Sequence, residues 1–183
     1  GVGSGHTGGV LESVAWFYRT PEARLAVLAV LTLGPVLAWP LAHWLHWNPW
    51  GTVLVVWGLG GALVPTFVSR LGYYDLRLDW SAGCAPGTDQ WATEDSLLNL
   101  MLLVPFGVGL VWASRSALVG VIGVITVAVG IEIGQAISGL GSCERGDLVR
   151  NALGGLLAVA MMRGWQWANR TPVTPTRAAQ PRP

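Results

Sequence analysis

Residues 116–155 read SALVGVIGVITVAVGIEIGQAISGLGSCERGDLVRNALGG, and this stretch decides the fold. From Ser116 it is almost wholly apolar until Glu132 and Gln135, and apolar character resumes after Asp147 and Asn151. A helix needs about 20 such residues to cross the hydrocarbon core of a bilayer. Ser116–Ser138 meets that length, and Leu148–Trp165 follows it after a short bend. The pair reads as a membrane hairpin with four polar side chains gathered near the bend, at one depth. Ionisable groups held within a membrane are costly enough to mark candidate functional sites.

Composition selects the same solvent. The chain has 183 residues, 52% hydrophobic and only 11% charged, with a mean hydropathy of +0.49. It contains no lysine, so the mixed charged surface of a soluble domain is out of reach. A net charge of +1 gives no footing for nucleic acid.

Working outward, Leu25–Leu45, Trp50–Ser69 and Leu97–Ala113 also have spanning length. The predicted fold is all-α, a polytopic membrane helical bundle with five transmembrane helices. Pro35, Pro40, Pro65 and Pro105 lie in or beside these spans, where membranes tolerate proline better than water does. Residues 23–168 form the membrane domain, between an N-terminal segment (1–22) and a tail (169–183) predicted to be disordered. Gly1–Pro21 lacks the basic start and apolar length of a signal peptide. It also lacks an initiating Met, which leaves room for an upstream span. Within it, Val10–Tyr18 is either a short interfacial helix or a poorly ordered Gly-rich end.

Connectivity sets the sides. The 71–96 connection and the 139–146 bend share one side; the 112–117 turn and the C-terminal tail share the other. The second side carries Arg115, Arg163, Arg170, Arg177 and Arg182 with almost no acid, which predicts that it faces the cytoplasm. Arg70, Arg77, Arg145 and Arg150 oppose this assignment, although many acids accompany them. Cys84 and Cys143 both fall on the first side. If that side is outside, a disulfide between them is chemically allowed, with two free thiols as the alternative.

Glu132 and Gln135 share a helix face at i,i+3; Asp147 and Asn151 do so at i,i+4. Asn99, near the start of the third span, adds a fifth polar group from a third helix. Two roles compete. In one, the polar groups only join helices, and Arg145 or Arg150 neutralises an acid; such contacts average about 0.6 kcal/mol each. In the other, they line a polar pocket whose carboxylates bind a cation, hold a head group or transfer a proton.

Other features are weaker. The 11 tryptophans suit interface belts, with a recognition role open for Trp80 and Trp91. His6, His43 and His46 supply no zinc set, and neither a metal nor another cofactor is expected. The spacing of Asp75 and Asp79 brings their carboxylates together only in a helix. No serine has a credible histidine base, and no Gly-rich phosphate loop occurs.

The same residues carry a family resemblance. Asn99-Leu100-Met101-Leu102-Leu103-Val104-Pro105-Phe106-Gly107 resembles the N…(F/L)xPxG segment of the VanZ-like family. Glu132-Ile133-Gly134-Gln135 resembles its ExxQ element, and Asp147 through Asn151 to Gly154 resembles its DxxxNxxG element. Order and separation agree across residues 96–161. The bend departs: family members often place an arginine before an acidic pair, whereas this chain has Gly141, then Cys143-Glu144-Arg145-Gly146-Asp147.

The resemblance implies an integral membrane protein, associated in some members with lowered susceptibility to the glycopeptide teicoplanin. The expectation is a bacterial envelope factor that binds or shields a lipid-linked or glycopeptide head group at the outer leaflet. Asn99, Glu132, Gln135, Glu144, Asp147 and Asn151 would surround that group, with Arg145 facing an anion. A lipid transporter or membrane enzyme using an intramembrane carboxylate, and a structural subunit of a membrane complex, are the alternatives. Expected partners are membrane lipids, a lipid-linked cell-wall precursor or glycopeptide, or another membrane protein.

Overall fold

In a computed structural model, the structure describes residues 20–71, 76, 78–79, 83–85, 94–141 and 143–169. The expectations for Val10–Tyr18, Asp75, Trp80, Trp91 and the tail after Asn169 lie outside these residues. The helices are α1 (Pro21–Leu45), α2 (Pro49–Thr66), α3 (Glu94–Leu102), α4 (Val104–Ser114), α5 (Ala117–Ser138) and α6 (Arg145–Ala168). A 3-10 turn, Val68–Arg70, follows α2. Among the described residues no strand forms beyond an isolated bridge between Ala85 and Glu144.

Local chemistry explains the ends. Asn48 caps α2 by accepting the Gly51 N–H at 3.0 Å, with Pro49 in the first turn, where its missing N–H costs nothing. Ser116 caps α5 in the same way at 3.4 Å. Gly139 closes α5 at φ 67°, a left-handed conformation glycine adopts freely. His46 ends α1 at φ 55°, in the left-handed region, with its N–H turned back to the last carbonyls of the helix.

Among the described residues, four stretches are long and apolar enough to cross a membrane: α1, α2, residues 96–114 and α5. The third differs from the expected continuous helix. Leu103 leaves helical conformation between α3 and α4, because Pro105 has no N–H to donate to Met101. The fifth expected span exists as α6, but Asp147, Arg150, Asn151, Arg163 and Gln166 keep it out of the apolar set. Arg150 and Asn151 turn inward, while Val149, Leu153, Leu157 and Met161 form an exposed stripe. A matching stripe on α5 is Leu118, Ile122, Ile125, Val129 and Ile133. Such apolar faces suit lipid contact and would be a liability in water.

Central α4 packs against α2, α5 and α6, while α1 packs chiefly on α2. The core joins Val55, Leu103, Phe106, Leu110, Val111, Val124, Ala128 and Ile131. Lipid offers apolar side chains no reason to associate, so close backbone approach supplies the attraction. A Cβ on Gly58 would lie 2.5 Å from Phe106 N, and one on Gly107 2.6 Å from the Gly155 carbonyl oxygen. On Gly154 it would overlap the Leu100 carbonyl oxygen.

The bundle has two unlike ends. Trp44, Trp50, Trp112, Trp165 and Trp167, all exposed, gather at the end where α1 meets α2 and α4 meets α5. There Gln166 Nε2 donates to the Val111 carbonyl at 3.1 Å, and Arg163 to the Arg115 carbonyl at 3.3 Å. At the other end the long connection is fastened to the α5–α6 bend. Asp79 N donates to Ile137 O at 3.0 Å, Ala85 N to Cys143 O at 2.9 Å, and Arg145 N to Ala85 O at 3.2 Å. Cys84 and Cys143 form a disulfide there, realising the pairing allowed by their shared side.

Candidate functional site at the fastened end

The site begins with Glu132, on the last turns of α5 and only 3% exposed. Its Oε2 accepts the Glu144 backbone N–H at 3.0 Å, so the bend folds back over the carboxylate. Its Oε1 is buried and has no hydrogen-bond partner among the described residues. The Asp147 and Glu144 carboxylates and the Arg70 guanidinium all lie within electrostatic range of it.

Two contacts fix the levels of the other groups. A Cβ on Gly155 of α6 would meet Val124 of α5 at 2.5 Å. These helices run antiparallel, so two turns toward the bend bring Glu132 level with Asp147. Asn151 lies one turn deeper, about 6 Å below, and is 2% exposed. Its Oδ1 likewise has no hydrogen-bond partner among the described residues. The expectation of a single depth is therefore corrected: i,i+4 spacing shares a face but also descends a full turn. On α3, which runs parallel to α6, Leu100 faces Gly154, so buried Ser96 comes level with Arg150.

Arg150 is buried and donates to Asp147 Oδ1 at 2.9 Å, pairing the acid one turn from the helix start. An acid there also complements the N-terminal end of the helix dipole. Gln135 is buried beside Gly141: a Cβ on that glycine would lie 2.9 Å from its Nε2 and would overlap the Arg70 guanidinium. Gly141 thus leaves the space that Arg70 and Gln135 fill. Arg70 Nη1 donates to the Leu140 carbonyl at 3.1 Å, tying the 3-10 turn to the bend.

Of the residues singled out in the sequence, Glu132, Gln135 and Asn151 are buried, Glu144 and Asp147 half-buried at the bend, and Asn99 half-buried on α3. Arg145 is exposed, at the start of α6 beside Glu144. Arg70, Arg150 and Ser96 complete the polar end. His43 and His46 lie at the opposite end of the bundle, so neither serves this site as a base. Among the described residues no cluster of His, Cys, Asp or Glu is suited to a metal ion. The chemistry on offer is that of a buried carboxylate with one open oxygen: accepting hydrogen bonds, balancing a cation or exchanging a proton.

Comparison with known families matches residues 61–166, more than half of the chain, to the VanZ/LLP1 family. No curated protein and no solved structure gives a match. The matched range runs from within α2 to the last turn of α6 and contains every polar group just described. The chain belongs to the VanZ/LLP1 family, and it is a membrane protein of a family linked to glycopeptide resistance.

Proposed function

With membership of the VanZ/LLP1 family as premise, we propose that this chain is an envelope factor that binds or shields a lipid-linked or glycopeptide head group at the outer leaflet. One observation carries the reading: Glu132 keeps a buried oxygen open beneath a bend fastened from outside the hairpin. A carboxylate that served only to join helices would be expected to have both oxygens satisfied, since leaving one buried and unpaired costs about 1–3 kcal/mol.

Orientation supports the outer leaflet. Disulfides persist in oxidising compartments, which supports an outside location for the Cys84–Cys143 end. Arg115 and Arg163, at the Trp-rich end, then face the cytoplasm in keeping with the positive-inside tendency.

The test is mass spectrometry of lipids and small molecules that copurify with wild type and with Glu132→Gln, matched for expression and folding. A defined species lost from the variant is expected and identifies the head group. Identical profiles would overturn the reading in favour of a structural subunit. Expression in a glycopeptide-susceptible host supplies the cellular readout: wild type lowers susceptibility to teicoplanin, and Glu132→Gln does not.

A further inference from the structure

We infer that the site between α5 and α6 recognises a primary ammonium group, the positively charged end of an aminophospholipid head group or of a free amine. This deepens the head-group reading above and rests on it.

The first ground is the kind of atom left open. Of the three buried side-chain polar atoms that make no hydrogen bond among the described residues, two are acceptor oxygens, Glu132 Oε1 and Asn151 Oδ1; the third is the Nε donor of Arg150, a side chain held by Asp147. The cationic side chains nearby are already turned to protein acceptors, Arg70 to Leu140 O and Arg150 to Asp147 Oδ1. A ligand that completes such a site brings N–H donors. At these two atoms a phosphate or carboxylate would instead set oxygen against oxygen.

Charge points the same way. Two carboxylates, Asp147 and Glu144, act on Glu132 electrostatically, against one guanidinium, Arg70. Glu132 itself lies in a poorly solvated part of the bundle, where a matching cation is held more strongly than in water.

Geometry narrows the cation. Glu132 and Asn151 belong to adjoining helices at levels one turn, about 6 Å, apart. Ammonium carries three N–H donors. A quaternary trimethylammonium carries none and leaves both oxygens unsatisfied. Calcium asks for six to eight oxygen ligands, and the described residues offer no metal-binding cluster.

The experiment is native mass spectrometry of the detergent-solubilised full chain, mixed with equal amounts of dioleoyl phosphatidylethanolamine and dioleoyl phosphatidylcholine. Wild type is expected to retain the ethanolamine lipid at least five-fold over the choline lipid. Glu132→Gln, nearly isosteric, is expected to bring the ratio close to one, and Asn151→Leu to lower it. Displacement by free ethanolamine identifies soluble amines as sufficient, whereas no displacement assigns recognition to the whole lipid; both outcomes uphold the ammonium site. Equal retention of the two lipids by wild type overturns the inference without reference to any variant, as does an ethanolamine preference undiminished in Glu132→Gln. A species without an amine that copurifies with wild type and is lost from Glu132→Gln leaves the head-group reading standing and removes only the ammonium.

Discussion

Replacing Gly154 by alanine tests the helix contact that sets the depth of the site. The added Cβ would overlap the Leu100 carbonyl oxygen and lie 2.7 Å from its carbonyl carbon. Both are backbone atoms, which cannot rotate aside, so α3 and α6 must part. Gly164, on the same helix, is the matched control, because a Cβ there meets nothing within 4 Å. Glycine-to-alanine in a helix interior gains about 1 kcal/mol in propensity. That gain is common to both positions and cancels in their difference, leaving an overpacking cost of about 1–3 kcal/mol at Gly154. For a chain of this size the difference corresponds to roughly 2–12 °C in melting temperature. Intrinsic tryptophan fluorescence of the two purified variants, followed on heating in one detergent, reads it. Gly154→Ala should melt below wild type and Gly164→Ala at or above it. If Gly154→Ala melts level with Gly164→Ala, the two helices are not in contact at that level, and the placement of Ser96 beside Arg150 loses its basis.

Three further outcomes follow from the geometry. Asn48→Ala removes the cap on Gly51 N–H and should cost about 1 kcal/mol in reversible unfolding; an unchanged midpoint would refute the cap's contribution. Asp147→Leu removes the carboxylate that pairs with buried Arg150 and should cost about 3–5 kcal/mol, whereas the double variant Asp147→Leu with Arg150→Met should recover most of that loss. Equal losses in the single and double variants would show that burial, not pairing, sets the cost. Unreduced protein should resist maleimide at Cys84 and Cys143 and take up two labels after reduction; labelling without reductant would contradict the disulfide.

What the sequence reveals depends on range. Glu132 and Gln135 stand out because polar residues in an apolar run are visible without a structure, and i,i+3 spacing puts them on one face. Their burial follows from the bend that folds back over them, with Glu144 N–H on Glu132 and Gly141 beside Gln135. Arg70 is not legible in this way: it reaches the bend through a tertiary contact with Leu140, and no local pattern links positions so far apart. Pro105 announces the interruption at Leu103, yet hydropathy alone reads straight through it. The fifth span shows the reverse limit: averaging over α6 dilutes its lipid-facing stripe with the inward Arg150 and Asn151. The depth of Asn151 needs the contact between Gly155 and Val124, which only packing provides.

The link between Cys84 and Cys143 joins points 59 residues apart, with two complete crossings of the bundle between them. Those crossings must return the second cysteine to the side it started from before the sulfurs can meet. A chain that skipped one insertion, or threaded one helix backwards, would strand the thiols on opposite faces of the bilayer. The bond is therefore a receipt for correct threading, formed only after the segment from α3 to α5 is seated. Oxidised protein made during synthesis would be a population already sorted for topology, and a pulse-chase of cysteine oxidation would time the insertion of the hairpin itself.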